Sequence, residues 1–127
     1  MALLTDWHAH WLPPRLVDAL AQRTAGPRID HANRRLLYGE SSLVLWDSYH
    51  DIDARSKLLD RAGIDRQVLS LPGLFRIDSL PPAEAEPLLA IFNAETTALV
   101  RAQPQRFAGL AALPVAAPAL AARRLDE

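Results

Sequence analysis

Two apolar runs constrain this chain most: Val68-Leu69-Ser70-Leu71 before Pro72, and the small-residue stretch from Phe107 to Val115. A strand with one wet face alternates polar and apolar residues, whereas these runs are apolar on both faces, the pattern of strands buried in a parallel sheet. Parallel neighbours need crossovers, and helix-type segments stand where crossovers would be. From Arg15, apolar residues Leu16, Val17, Leu20 and Ala21 share a helical face, with Pro13-Pro14 suited to the start and Gly26-Pro27 to the stop. Leu58, Leu59 and Ala62 mark a second helix, with Asp53 as its expected N-cap and Gly63 as a left-handed terminator. A third runs from Pro82 or Pro87 to Ala102, after a Pro-rich loop over 72–82. Its mostly apolar stripe is Leu88, Leu89, Ile91, Phe92, Glu95, Ala98 and Leu99, and Pro104 ends it. Pro118 opens a further helical stretch running to Glu127.

Residues 2 to 10 read as an opening strand that ends in Asp6-Trp7-His8-Ala9-His10. Residues 28 to 50 break the rhythm. Leu36-Leu37-Tyr38 and Leu43-Val44-Leu45-Trp46, separated by Gly39-Glu40-Ser41-Ser42, predict a β-hairpin inserted after the first helix. The order is strand, helix, hairpin, helix, strand, helix, strand and helix start, an α/β alternation with right-handed crossovers expected. Three parallel strands leave an open edge and uncovered apolar surface, so the polypeptide is expected to continue, or to be completed by another chain.

Composition narrows the function classes. Half of the 127 residues are hydrophobic and 23% are charged, the balance of a globular domain. The 14 basic and 15 acidic residues are spread along the chain, so neither nucleic acid nor membrane is the expected partner; a small molecule is. With no cysteine, thiolate metal sites and disulfides are excluded, and any metal must be held by His, Asp or Glu. The stretch Met1 to Asp6 lacks a basic n-region and turns polar early, which predicts a cytoplasmic protein.

Strand alternation would put Asp6, His8 and His10 on one face, with Trp7, Ala9 and Trp11 on the other. Two imidazoles would then converge on one point at the C-terminal end of a strand, where barrel enzymes place their chemistry. Neutral imidazole is a good ligand for a divalent cation, so His8 and His10 are the candidate metal ligands. A bare His-x-His pair is weak, because four histidines in 127 residues can fall at this spacing by chance. The preceding Asp6, the apolar lead-in and the Pro-Pro helix start add context. Asp6 is expected to accept a hydrogen bond from a histidine N–H, or else to be a buried polar group satisfied by neighbouring strands. Trp7 is expected to pack between strand and helix, and Trp11 to cover the pocket or cap the rim. Asn93 and the Trp46-Asp47 pair are expected to make structural hydrogen bonds.

Asp6-x-His8-x-His10-x-x-Pro13, then Leu59-Asp60-x-x-Gly63-Ile64-Asp65-x-x-Val68-Leu69-Ser70 and Pro104-x-Arg106-Phe107-x-Gly109-Leu110-x-x-Leu113-Pro114, resembles the amidohydrolase-related family. The narrower resemblance, over residues 3 to 127, is to the subgroup containing aminocarboxymuconate-semialdehyde, hydroxybenzoate and resorcylate decarboxylases. It implies that residues 1–127 are the N-terminal part of a TIM-type (β/α)8 barrel, about three βα units with 28–50 as the insertion, the rest of the barrel being absent. It also implies one divalent metal, usually zinc, near the strand C-termini. The family's further ligands and acid/base groups come from later strands, outside these residues. Arg34 or Arg35 would hold a substrate carboxylate, as an insertion arginine does in related decarboxylases. His31 and His50 lie in the insertion and are expected to pack there or face solvent.

The resemblance therefore predicts a metal-dependent hydrolase or non-oxidative decarboxylase acting on a small carboxylated, cyclic or aromatic molecule. The metal would act as a Lewis acid on water or on a substrate oxygen. The competing expectation is a truncated, non-catalytic barrel fragment that serves as a homo-oligomeric scaffold or binding module. That fragment would self-associate through its exposed third strand.

Overall fold

A computed structural model describes residues 2–126. The elements are β1 (Thr5–His10), α1 (Pro14–Ala21), β2 (Arg28–Asp30), β3 (Arg35–Tyr38), β4 (Ser41–Val44), α2 (Ile52–Ala62), β5 (Arg66–Ser70), α3 (Pro82–Ala102), β6 (Phe107–Gly109) and α4 (Pro118–Leu125). Short 3-10 turns cover Asp47–Tyr49 and Gly73–Phe75. Strands β1, β5 and β6 form a parallel three-stranded sheet in that order, which is the βα alternation expected from the apolar runs. Among the described residues, no helix is long and apolar enough to cross a membrane.

The insertion is a three-stranded antiparallel sheet, β2-β3-β4, rather than a hairpin alone. The added strand is Arg28-Ile29-Asp30, too short and too polar to show a period, and only its central Ile29 is buried. Ile29, Leu36 and Leu45 belong to the same hydrophobic core as the residues of the parallel sheet and its helices, so the insertion is anchored to the main sheet's core. Leu12 N–H donates to Tyr49 O at 2.8 Å, which ties the far end of the insertion to the loop following β1.

Three local expectations are corrected. The N-cap of α2 is Asp51, whose carboxylate accepts from the Asp53 and Ala54 amides at 2.8 and 3.1 Å, while Asp53 sits inside the first turn. Those amide bonds hold the Asp51 carboxyl below its ordinary range. Gly63 does end α2 in the left-handed region, at φ 67°. Trp7 does not pack between strand and helix; it is 77% exposed. The last strand is far shorter than Phe107 to Val115. After Gly109 the pairing continues only through Leu110 N–H to Leu69 O. Asn93 of α3 then takes both backbone groups of Ala112, at 2.8 and 2.9 Å, and pulls the chain off the sheet.

The residues at the centre of the family-like pattern are accounted for by packing. Arg106 donates to the carbonyls of Ile64, Asp65 and Ser56 and pairs with Asp60, so one side chain clamps the α2-to-β5 turn beneath β6. Helix α3 lies so close to β6 that a Cβ on Gly109 would fall 2.6 Å from Thr96 Cγ2. Gly109→Ala is therefore expected to cost about 1–3 kcal/mol, the range for overpacking. Adding Thr96→Ser, which deletes that methyl group, should recover most of the loss. Urea denaturation of the single and double variants checks this; an undisturbed single variant would show slack between helix and strand.

Candidate metal centre

The C-terminal end of β1 is set by a bulge. Asp6 pairs with Gln67, but the next pairs are Ala9 with Leu69 and His10 with Ser70, so β1 uses three steps where β5 uses two. One extra residue reverses the alternation beyond it. Asp6 shares a face with Gln67, Ala9 and Leu69, the side reached by Arg55 of α2, while His10 shares the opposite face with Ser70. The expectation that Asp6, His8 and His10 lie together is thus corrected for Asp6. The two histidines do converge, with ring centroids 4.9 Å apart, near-perpendicular planes and an Nε2–Nε2 separation of 3.3 Å.

Two nitrogens about 2.0–2.1 Å from a common tetrahedral ion lie roughly 3.3 Å apart, so the pair has the spacing that one cation requires. The same spacing suits an N–H···N bond when one ring carries the bridging proton, and an arriving cation would displace that proton. His10 is prepared for this. Ser70 Oγ donates to Ala9 O at 3.1 Å, which uses its only proton, so at 3.3 Å from His10 Nδ1 it can only accept. The proton of neutral His10 is then on Nδ1, and Nε2 presents its lone pair toward His8. Burial, aided by the positive fields of His8 and Arg55, lowers the His10 pKa and favours that neutral form. The donor set fits a divalent cation, although among the described residues no third His, Cys, Asp or Glu joins the pair.

Asp6 accepts from Gln67 Nε2 at 2.8 Å and from the backbone N–H of His8 at 3.0 Å, so it acts on the pair through the backbone, not through an imidazole. The Gln67 bond, ahead of the His8 amide and the His8 and Arg55 charges, lowers its pKa against the opposing effect of burial. Arg34, in a left-handed conformation at φ 50°, pairs with Asp47, and Arg35 gives both Nε and a terminal nitrogen to Ser42 Oγ at 2.9 and 2.6 Å. Both arginines thus bond within the insertion. His31 lies exposed in the β2–β3 turn, and His50 is half-buried after the Asp47–Tyr49 turn.

A cavity of about 110 Å³ opens beside His10, lined by Leu12, Leu43, Tyr49, Pro72 and Phe75. The insertion contributes Leu43 and Tyr49 to it rather than either arginine. Its volume is below the roughly 300 Å³ of a complete small-molecule site, and its walls are chiefly apolar. A larger open groove of about 910 Å³ runs along α3 past Ala90, Ala94 and Ala98 and includes neither histidine. Ser70, Arg55 and Gln67 were the contributors hidden in the sequence. Ser70 had a signal, as the lone hydroxyl in an apolar run one residue before a loop.

The β1-β5-β6 sheet with its crossover helices defines an α/β fold of the parallel type, with the paired imidazoles at the C-terminal end of its first strand. No family model matches the sequence. Solved structures do, and they belong to the amidohydrolase superfamily. The chain aligns over 99% of its length with 39% of 5-carboxyvanillate decarboxylase from Sphingomonas paucimobilis, at 23% identity and TM-score 0.72. It also aligns over 99% with 34% of a dihydroxybenzoic acid decarboxylase from Polaromonas sp. JS666, at 25% identity and TM-score 0.61; that structure contains manganese and the inhibitor 2-nitroresorcinol. A Staphylococcus aureus protein provisionally classed as an amidohydrolase matches at 17% identity and TM-score 0.66, over 98% of this chain and 33% of that one. The chain spans about a third of the length of these structures, and the likeness establishes its fold.

Proposed function

We propose that His8 and His10 are two ligands of one divalent cation in an amidohydrolase-type enzyme. Its reaction would be the hydrolysis or non-oxidative decarboxylation of a small carboxylated, cyclic or aromatic molecule. The observation that carries this reading is the 3.3 Å between two Nε2 atoms, one of them on a ring whose tautomer Ser70 fixes. Two imidazoles supply half of a tetrahedral set, so the remaining ligands and the acid/base group are proposed to come from polypeptide outside residues 1–127. The manganese in the Polaromonas structure makes manganese a candidate alongside zinc.

When bound, the cation would supply Lewis acidity toward water or a substrate oxygen. The chain's own residues hold and orient. His8 and His10 present nitrogen lone pairs, Ser70 keeps the His10 proton on Nδ1, and Leu12, Leu43 and Phe75 form an apolar wall beside His10. Of the two insertion arginines, Arg34 is the better placed to exchange its partner for a substrate carboxylate, because its side chain is 61% exposed. The test is elemental analysis of the full-length protein, followed by chelation and assay of CO₂ release from hydroxybenzoates and of ester or amide hydrolysis. About one bound metal per chain, and activity lost on chelation and regained with zinc or manganese, would support the reading. Metal-free protein with undiminished turnover would sink it.

A further inference from the structure

We infer that Arg55 is a positioning residue for the histidine pair, acting through Gln67 and Asp6 to hold the β1 bulge in register; the inference rests on the metal-centre reading above. Arg55 belongs to α2, yet its guanidinium is buried under the end of β1, 5.2 Å from the centre of the Trp11 ring. One terminal nitrogen donates to the backbone carbonyl of His10. The other donates to Gln67 Oε1 at 2.6 Å, Gln67 Nε2 donates to Asp6 Oδ2 at 2.8 Å, and Asp6 Oδ1 accepts the His8 amide at 3.0 Å. A closed loop of four hydrogen bonds thus runs from the main chain of one candidate ligand to that of the other, across the bulged residues.

Direction gives the loop its content. Arg55 can only donate, so Gln67 must turn its oxygen toward α2 and its NH₂ toward Asp6. The carboxylate, engaged through one oxygen, is left with the other facing the His8 N–H. Burying the cation is costly, and desolvation lowers the Arg55 pKa to about 10 against the fields of Asp6 and Tyr49. Its Nε also has no hydrogen-bond partner among the described residues. A buried charge of this kind is weak evidence for stability, and fixing a register is its best-attested use. Here the fixed feature is the bulge that turns Asp6 toward the helices and leaves both imidazoles together.

The test exploits that polarity. Gln67→Glu keeps an acceptor for Arg55 but sets carboxylate against carboxylate at Asp6. Adding Asp6→Asn restores a donor facing Glu and an oxygen for the His8 amide. Zinc affinity is measured in the full-length protein by chelator competition, with thermal denaturation of the metal-free protein alongside. Leu59→Ala, a core change on the same helix, serves as the stability control. Gln67→Glu should weaken zinc about 10–100-fold, as loss of an outer hydrogen-bonding partner does. The double variant should recover to within a few-fold, and Leu59→Ala should lower Tm with little change in affinity. Wild-type affinity in Gln67→Glu, failure of the double variant to recover, or an equal loss in Leu59→Ala would overturn the inference. The His8→Ala/His10→Ala protein separates the two levels. If it loses zinc while Gln67→Glu keeps it, only the positioning role falls; if it binds zinc like wild type, the metal reading falls and takes the inference with it.

Discussion

Replacing His8 and His10 together by alanine is expected to remove metal binding from the full-length protein and reduce turnover to background, with a change in folding stability that is small by comparison. The imidazoles lie on the open face of the sheet, so deleting them creates no core cavity: His8 is exposed and His10 only half-buried. Their loss removes donors rather than packing, and each deletion should exceed the roughly 10–100-fold that an outer partner is worth. Ser70→Ala is the graded comparison. It leaves both ligands in place but frees the His10 tautomer, and should fall between wild type and the single histidine variants. Metal content by elemental analysis, measured beside a urea denaturation curve, checks the separation. A double variant that retains its metal would show that the two rings meet without binding an ion.

What the sequence revealed and what it hid divide along physical lines. Strands β5 and β6 and helices α1 and α3 announced themselves because burial on both faces, or on one helical stripe, leaves a pattern in residue types. Gly63 could be read as a terminator because a left-handed residue ending a helix strongly favours glycine. The bulge could not be read, since a bulge is a mismatch between two strands and no single strand's sequence contains it. The exposure of Trp7 is hidden for the same reason, as strict alternation carried through His8 assigns it to a packed face. Asp51 and Asp53 are chemically equivalent caps two residues apart, and only the helix's true first turn distinguishes them. The early end of β6 depends on Asn93, nineteen positions upstream of Ala112, a partnership that no local pattern encodes.

The candidate site shows the same division at closer range. The proposed ligand pair was visible as two imidazoles on a strand, while the groups proposed to orient them were not. Arg55 lies on a helix whose sequence is otherwise amphipathic, where arginine is ordinarily a solvated residue, and Gln67 looks like a polar residue at a strand start. Their proposed role depends on register: Gln67 faces Asp6 because β5 pairs with β1 at that step, and Arg55 of α2 bonds to Gln67. A chemical role carried by one side chain can be read from residue type and spacing. A role carried by a chain of directional bonds becomes legible only when the elements are docked.

Phe92→Ala is expected to cost about 3–5 kcal/mol, a large part of the roughly 5–15 kcal/mol that keeps a domain folded. Phe92 is fully buried on the face of α3 that also carries Ala85, Leu88, Leu89 and Thr96, so its truncation is chiefly a loss of packing. Phe92→Leu, which leaves a smaller void, should cost less. The consequence for function is specific because the histidine rings are held by β1, β5 and α2 rather than by α3. Protein that remains folded should therefore bind metal as wild type does, and a ligand that binds only the folded state stabilises it by mass action. At a metal concentration near 100 times Kd the gain is about 2.7 kcal/mol, enough to restore much of what Phe92→Ala removes. Added zinc should thus raise the urea midpoint of Phe92→Ala toward that of zinc-free wild type, but not when His8→Ala and His10→Ala are added. Rescue by zinc in the triple variant would place the ion elsewhere in the protein, and no rescue of Phe92→Ala itself would mean that α3 shapes the site as well as the core.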